Sequence, residues 1–341
     1  MRNLASVQIV KAVNPILGAD AIECVDILGW KCVTKKGEVK VNDPVVYIEI
    51  DSLLPRAPWN EFFFKPGRDD GATSYRLRTV KLRGQVSQGL VLPLNILGAD
   101  VHTFVEGQDI TELLGIVKYE PAISPQLAGM VKGPFPSYIP KTDETRVQAE
   151  PGVLDEVRGK PVVITLKMDG SSGTFFQYQN GFGVCSRNLE FKEDGDNTFW
   201  KVANRYNLKD GFAKLVRNLA VQAELCGPGI QKNRLNLKDH DIYGFNAYDI
   251  QTAKYLDFDE ALDIFTFLGI PSVPLIYNGI FDPSWGIAEL LEMAKGKYDG
   301  TQNHREGIVT RPIEETHSPI LKGRLSFKII NQDYLLKYED A

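Results

Sequence analysis

A lysine acts as a nucleophile only after its ammonium has lost a proton, and Lys167 stands where a chain could arrange that. It closes the apolar run Val162-Val163-Ile164-Thr165-Leu166 and is followed by Met168-Asp169-Gly170-Ser171-Ser172. An amine at a strand end, just ahead of an Asp-Gly turn, can project into a cleft. Burial or a neighbouring cation would then lower its pKa towards neutrality. Lys-x-Asp-Gly alone is a short pattern, and a solvated strand-end lysine before a type I turn satisfies it equally well.

Further chemistry-bearing segments follow in order. They are Ser186-Arg187-Asn188, Ala223-Glu224-Leu225-Cys226-Gly227, Phe245-Asn246-Ala247-Tyr248-Asp249-Ile250, Arg305-Glu306-Gly307-Ile308-Val309-Thr310-Arg311-Pro312 and Phe327-Lys328-Ile329-Ile330-Asn331. With Lys167-Met168-Asp169-Gly170 as motif I, these segments resemble motifs Ia, III, IIIa, IV and V of the covalent lysine nucleotidyltransferases. That superfamily holds the polynucleotide ligases and the mRNA capping enzymes. Six matches in order are far more specific than any one, and they span residues 141–338.

The resemblance implies a role for each residue. Lys167 would attack the α-phosphorus of ATP and carry AMP as a phosphoramidate. Gly170 would lie against the nucleotide, and Arg187 would fork onto ribose or phosphate oxygens. Glu224 would accept from a ribose hydroxyl, and Phe245, with Tyr248 second, would stack on adenine. Glu306 is expected to bind Mg²⁺ or Mn²⁺, with Asp169 holding a metal-bound water or orienting Lys167. Lys328 would stabilise charge at the α-phosphate. Arg146, in a segment resembling one that precedes motif I in RNA ligases, is a further candidate for phosphate or AMP; an Asp/Glu–Arg helix pair is the alternative.

Two departures stand out. Leu166 occupies the position before the lysine where many relatives carry an acid, which leaves base selection there to the backbone. Motif V often has two lysines two residues apart, whereas Ser326 and Ile330 flank Lys328 here. Lys322 is the candidate for the second positive charge.

The elements that position these residues read as α+β. Residues 1–117 show short strands at 5–12, 22–33, 44–50 and 89–94 between turn signals, as in an OB-like barrel. Residues 118–150, with Pro121, Pro125, Pro134, Pro136 and Pro140, read as a linker or an extended wrap. Residues 151–341 read as the nucleotidyltransferase domain, with antiparallel sheets and flanking helices. Strands are expected at 161–166, 173–178, 182–185, 221–225, 242–250, 307–310 and 325–330. Helices are expected at 198–206 and 288–295, with a longer one around 211–219.

Only 13 residues follow Lys328, too few for the OB domain that DNA ligases and capping enzymes carry after motif V. The module in front resembles instead the RNA ligases with an N-terminal OB module, known from Naegleria and Deinococcus. Within it, Arg76 and Arg78 share one strand face. Lys81 and Arg83 follow on the opposite parity, so merging them into one nucleic-acid patch needs a bulge or twist. Gly84 to Gly89 reads as a flexible polar loop, and Trp59, Phe62, Phe63 and Phe64 as packing.

Composition limits the rest. With 39 basic and 44 acidic residues the net charge is −5, so polyanion binding must be local rather than global. Cys24, Cys32, Cys185 and Cys226 form no C-x-x-C pair, and His102, His240, His304 and His317 lie at no zinc-like spacing from them; reduced, partly buried thiols are expected. The N-terminus lacks a signal-like apolar run, and an intracellular protein, cytoplasmic or nuclear, is expected. The resemblance implies an ATP-dependent RNA ligase, monomeric, joining 5′-phosphate and 3′-hydroxyl RNA ends at duplex nicks. A GTP-dependent capping enzyme, a silent RNA-end-binding protein and a DNA-only ligase are the alternatives.

Overall fold

The computed structural model describes residues 3–65, 69, 71–98, 103–119, 129–179 and 181–338. Pro121, Pro125 and His102 lie outside these. The chain divides into two compact units, Met1–Ala122 with Leu335–Ala341, and Ile123–Tyr334.

The first unit is built of short antiparallel strands. Pro44–Ile48 lies between Ala5–Ile9 and Leu90–Pro93. Val45, Val46, Tyr47 and Ile48 are all buried, which is why this strand reads as continuously apolar rather than alternating. The expected strand at 22–33 is two strands, Ile22–Ile27 and Trp30–Lys35, folded back at Leu28, whose φ of 52° is left-handed. Residues 84–89 are not a free loop either. Val80–Leu82 pairs with Gln85–Ser87 around a two-residue turn with positive φ at Arg83 (48°) and Gly84 (85°), the geometry that suits a tight hairpin.

The second unit carries two sheets. One has seven strands, in the order Val131–Pro134, Leu189–Phe191, Gly181–Ser186, Ser171–Tyr178, Leu219–Cys226, Asp241–Asp249 and Lys254–Tyr255. The other has five, in the order Thr145–Arg146, Phe327–Ile330, Gly307–Pro312, Pro161–Lys167 and Leu275–Ile280. All pairs are antiparallel except Thr145–Arg146 beside Phe327–Ile330. Thus the proline-rich segment is no bare linker where it is described: Val131–Pro134 and Thr145–Arg146 each add an edge strand.

Helices cover the outer faces. Thr198–Arg205 begins at Asn197, whose side chain accepts from the Phe199 and Trp200 amides, a standard N-cap. The helix expected around 211–219 runs instead over Leu208–Leu215 and is no longer than its neighbour; Leu219 already belongs to a strand. Phe258–Leu268 was not anticipated, although its buried Ala261, Phe265 and Leu268 sit at helical spacing and Gly269 ends it at φ 69°. No helix among the described residues is long and apolar enough to cross a membrane.

Candidate active site

Alternation along the five-stranded sheet sorts its residues. Val162, Ile164, Ile308, Phe327 and Ile329 join one hydrophobic cluster, so Thr165, Lys167, Val309 and Lys328 belong to the opposite face. There a cleft open to solvent is lined by Thr165, Lys167 and Val309 from this sheet and by Glu224 and Phe245 from the other.

Lys167 is the last residue of its strand, paired with Gly307. Its Nζ lies 2.8 Å from Glu306 Oε1 and 2.9 Å from Oε2. The Glu306 amide donates to the Tyr298 hydroxyl (3.2 Å), which itself donates to the Lys167 carbonyl (3.3 Å). Asn331 donates from its amide to the Glu306 carbonyl, and from Nδ2 to that of Arg305. At Gly307 a Cβ would stand 2.1 Å from the Ile329 carbonyl oxygen, so only glycine lets the strands close there. Nucleophile and carboxylate are thus tied through backbone as well as through charge.

The electrostatics reverse one expectation. Burial pulls the Lys167 pKa down, but Glu306, Glu224 and Asp169 together outweigh it and hold the amine above its ordinary value. The lysine is flanked by anions, not cations. Burial likewise pushes Glu224 up to about 8, against the pull of Lys167 and with the push of Glu306 and Asp169.

Gly170 has a packing task. A Cβ there would meet the Leu225 carbonyl oxygen at 2.4 Å and Glu224 Cγ at 2.8 Å, and its amide bonds the Glu224 carboxylate. Asp169, 5% exposed, is gripped by Arg234 Nη1 at 2.5 Å. The Tyr334 hydroxyl also bonds it. Arg234 was missed in the sequence, because an arginine in a loop of Gln, Lys, Asn and Leu has no periodicity to mark it.

Among the cations, Lys328 pairs with Val309 on one side and Arg146 on the other. Arg146 therefore shares its sheet row and is strand, not helix. Lys322, expected as the second motif V cation, sits instead in an exposed turn between His317–Ser318 and Gly323–Arg324 with φ 53°. It does not line the cleft. Arg187 follows the Gly181–Ser186 strand, and its Nη2 bonds Asp143 Oδ1 at 2.5 Å. Phe245 lines the cleft, whereas Tyr248 is buried with Phe176 and Ile250 in a separate cluster and is no stacking platform.

The donor set fits a hard divalent ion of the kind bound by one or two carboxylates plus phosphate and water. Glu306 and Glu224 offer oxygens beside Lys167, while one Asp169 oxygen is committed to Arg234. No cluster of three metal-binding side chains exists among the described residues, so the protein supplies part of a shell rather than a cage.

In the N-terminal unit the basic residues occupy separate pieces. Arg76 ends the strand Ser74–Arg76, bonds Asp51 at 2.9 Å and lies over the Tyr119 ring. Arg78 lies beyond that strand. Lys81 and Arg83 are exposed on the Val80–Leu82 hairpin. Phe63 stacks on Tyr75 with centroids 4.2 Å apart and packs with Trp59 against the core; Phe64 is buried, and Phe62 is 63% exposed. All four cysteines are free and buried.

An OB-fold domain family matches residues 4–94, and the RNA ligase family matches residues 160–330. No curated protein sequence matches the chain. Among solved structures it is similar to a mutant Naegleria gruberi RNA ligase with AMP and Mn, at 38% identity, with 100% of each chain covered and a TM-score of 0.90. It is similar to the same relative with PPi, at 37% identity, with 100% of each chain covered and a TM-score of 0.89. With another mutant, bound to ATP and Mn, it shares 37% identity over 99% of this chain and 100% of the other, with a TM-score of 0.88.

Proposed function

The chain belongs to the RNA ligase family, and from that premise we propose that it seals 5′-phosphate and 3′-hydroxyl RNA ends at duplex nicks through AMP carried on Lys167. It is an ATP-dependent RNA ligase, with an OB fold ahead of the ligase domain, and the capping-type alternative is not favoured. The observation that carries the proposal is a strand-end amine held among carboxylates in a cleft walled by both sheets of the second unit.

Three steps make up the reaction. The neutral Lys167 amine attacks the α-phosphorus of ATP, forming an N–P bond as pyrophosphate leaves. The 5′-phosphate of the broken strand then takes the AMP, and the Lys167–phosphorus bond breaks. Last, the 3′-hydroxyl attacks that activated phosphate, forming the phosphodiester and releasing AMP. Each step needs positioning and charge stabilisation more than a histidine base.

In this reading Phe245 stacks on adenine, and Glu224 and Arg187 orient the ribose and phosphate. Lys328, with Arg146 beside it, stabilises charge at the α-phosphate. Glu306, with Asp169 through a bound water, would hold Mg²⁺ or Mn²⁺, and Arg234 keeps the Asp169 turn in place. Held there, such an ion would supply positive charge against the carboxylates that raise Lys167. Residues 1–117 engage the duplex as an OB module through Arg78, Lys81 and Arg83, with Arg76 bracing its strand through Asp51 and Tyr119; residues 118–150 wrap into the catalytic domain, which occupies 151–341. The enzyme works as a monomer inside the cell, in cytoplasm or nucleus.

A sealing assay on matched RNA, DNA and hybrid nicks tests the substrate. Efficient joining is expected when RNA supplies the 3′-hydroxyl at a nick. Equal joining of all-DNA nicks, or joining of single strands alone, removes this assignment.

A further inference from the structure

The end of the cleft remote from Lys167 is closed by two charged side chains to which the reaction assigns no task, Glu144 and Arg311. Register measures how remote they are. Lys167 pairs with Gly307, Thr165 with Val309 and Val163 with Arg311, so the Arg311 row lies four residues, about 13 Å, along the sheet from the nucleophile. With the α-phosphate at Lys167 and Phe245 on the wall between, this is the end that meets the outer edge of the base.

Both groups have bonding capacity to spare. Arg311 is 4% exposed. Its Nη1 donates to the Phe245 carbonyl at 2.7 Å and to Asn246 Oδ1 at 2.5 Å. Its buried Nε–H has no hydrogen-bond partner among the described residues, and an orphaned buried donor of a charged group is costly enough to need a reason. Glu144 is half-buried and has no hydrogen bond or ion pair of its own among the described residues. Two residues on, Arg146 enters the sheet beside Lys328. Glu144 lines the cleft together with Arg311, and its charge is felt by the guanidinium.

We infer that Glu144 and Arg311 form the base-selecting pair of this enzyme, the Glu144 carboxylate accepting from the 6-amino group of adenine and the Arg311 Nε–H donating to the neighbouring ring nitrogen. Adenine presents an N–H₂ donor beside a ring acceptor, whereas guanine has an oxygen at the 6-position; that oxygen would face a carboxylate. The pair thus supplies, from the Gly307–Pro312 strand and from the residue just ahead of Thr145–Arg146, the side-chain selection that Leu166, ahead of the nucleophile, has no polar atom to provide.

The inference rests on the cleft being the nucleotide site, so that is read first: wild-type protein must take label from α-labelled ATP on Lys167. Wild type and Glu144→Ala are then compared for adenylylation by ATP and by purine riboside triphosphate, which has hydrogen in place of the 6-amino group. Wild type should prefer ATP by about 10- to 100-fold in kcat/KM, the value of one hydrogen bond to a charged group. Glu144→Ala should bring that preference close to unity, chiefly by raising KM for ATP. An equal fall for both nucleotides, which a mere counter-charge for Arg311 would produce, overturns the inference while leaving Lys167 in place. So does an undiminished preference.

Glu144→Gln keeps the shape should the alanine variant not fold, and its amide N–H can meet a 6-oxo group. It should narrow the gap between ATP and GTP; an unchanged gap counts against the pair. Absence of label on wild-type Lys167 would remove the nucleotide reading and this inference together.

Discussion

The Lys167 cleft and the basic hairpin of the N-terminal unit handle charge in opposite ways. In the cleft Lys167, Glu306, Asp169 and Arg234 are paired across segments far apart in the chain, and Asp169 and Arg234 are nearly sealed from water, each with its side chain 6% exposed. On the hairpin Lys81 and Arg83 stand in solvent, where screening weakens them and exchange with water costs little. The first arrangement fixes geometry within a fraction of an ångström and makes every charge depend on its partner. The second offers a diffuse attraction that tolerates displacement, as a phosphate backbone requires.

The contrast breaks most completely at the nucleophile. Lys167→Ala should abolish labelling by α-labelled ATP, read by gel or mass spectrum; label retained at full stoichiometry would assign the adenylate elsewhere. Glu306→Ala should slow adenylylation by about a hundredfold or more. Because the anion that most raises Lys167 is then gone, the pH–rate profile of what remains should move to lower pH; an unmoved profile would mean that the pair does not govern the amine.

Next comes the sealed pair. Arg234→Ala leaves a buried carboxylate without its cation and should cost about 3–5 kcal/mol of stability in urea unfolding. A loss below about 1 kcal/mol would show Asp169 to be better hydrated than its burial indicates.

Glu224 provides a subtler separation by pH. Its ordinary value is 4.5, and the folded chain holds it near 8, so between these values the native state keeps a proton that the unfolded chain releases. Stability from this group is therefore lost as pH rises from about 4.5 to about 8. Glu224→Gln should flatten that decline in pH-dependent unfolding; an unaltered slope places the proton on another group.

The smallest effects belong to the hairpin. Lys81→Ala and Arg83→Ala should each reduce the slope of log affinity for nicked RNA against log salt by about 0.9, with little change in unfolding. Arg76→Ala should instead act mainly on stability, since Arg76 is already engaged by Asp51 and Tyr119. A full loss of one salt-slope unit at Arg76 would reverse that division.

The same division marks how far the sequence could be read. Lys167, Glu224, Phe245, Glu306 and Lys328 stand in or against strands whose alternation is plain, and strand alternation sets which face each takes. The α+β class and the OB fold followed from the same patterns. What escaped was set by long-range pairing. Arg234 meets Asp169 across 65 positions, and Arg146 becomes the neighbour of Lys328 only once a parallel edge strand has formed. Lys322 looked suitable by spacing, but a left-handed turn carries it away. The sign of the Lys167 shift was also misread, since burial is visible in an apolar run and three approaching carboxylates are not.

The clasp between Lys167 and Glu306 has a consequence for the idle enzyme. An ammonium has no lone pair, so acylating metabolites, aldehydes and isocyanate meet no nucleophile there. An exposed lysine at its ordinary pKa keeps a larger neutral fraction and reacts more readily. The side chain on which turnover depends is thus kept chemically quiet while waiting, and becomes vulnerable only in the company of its substrate.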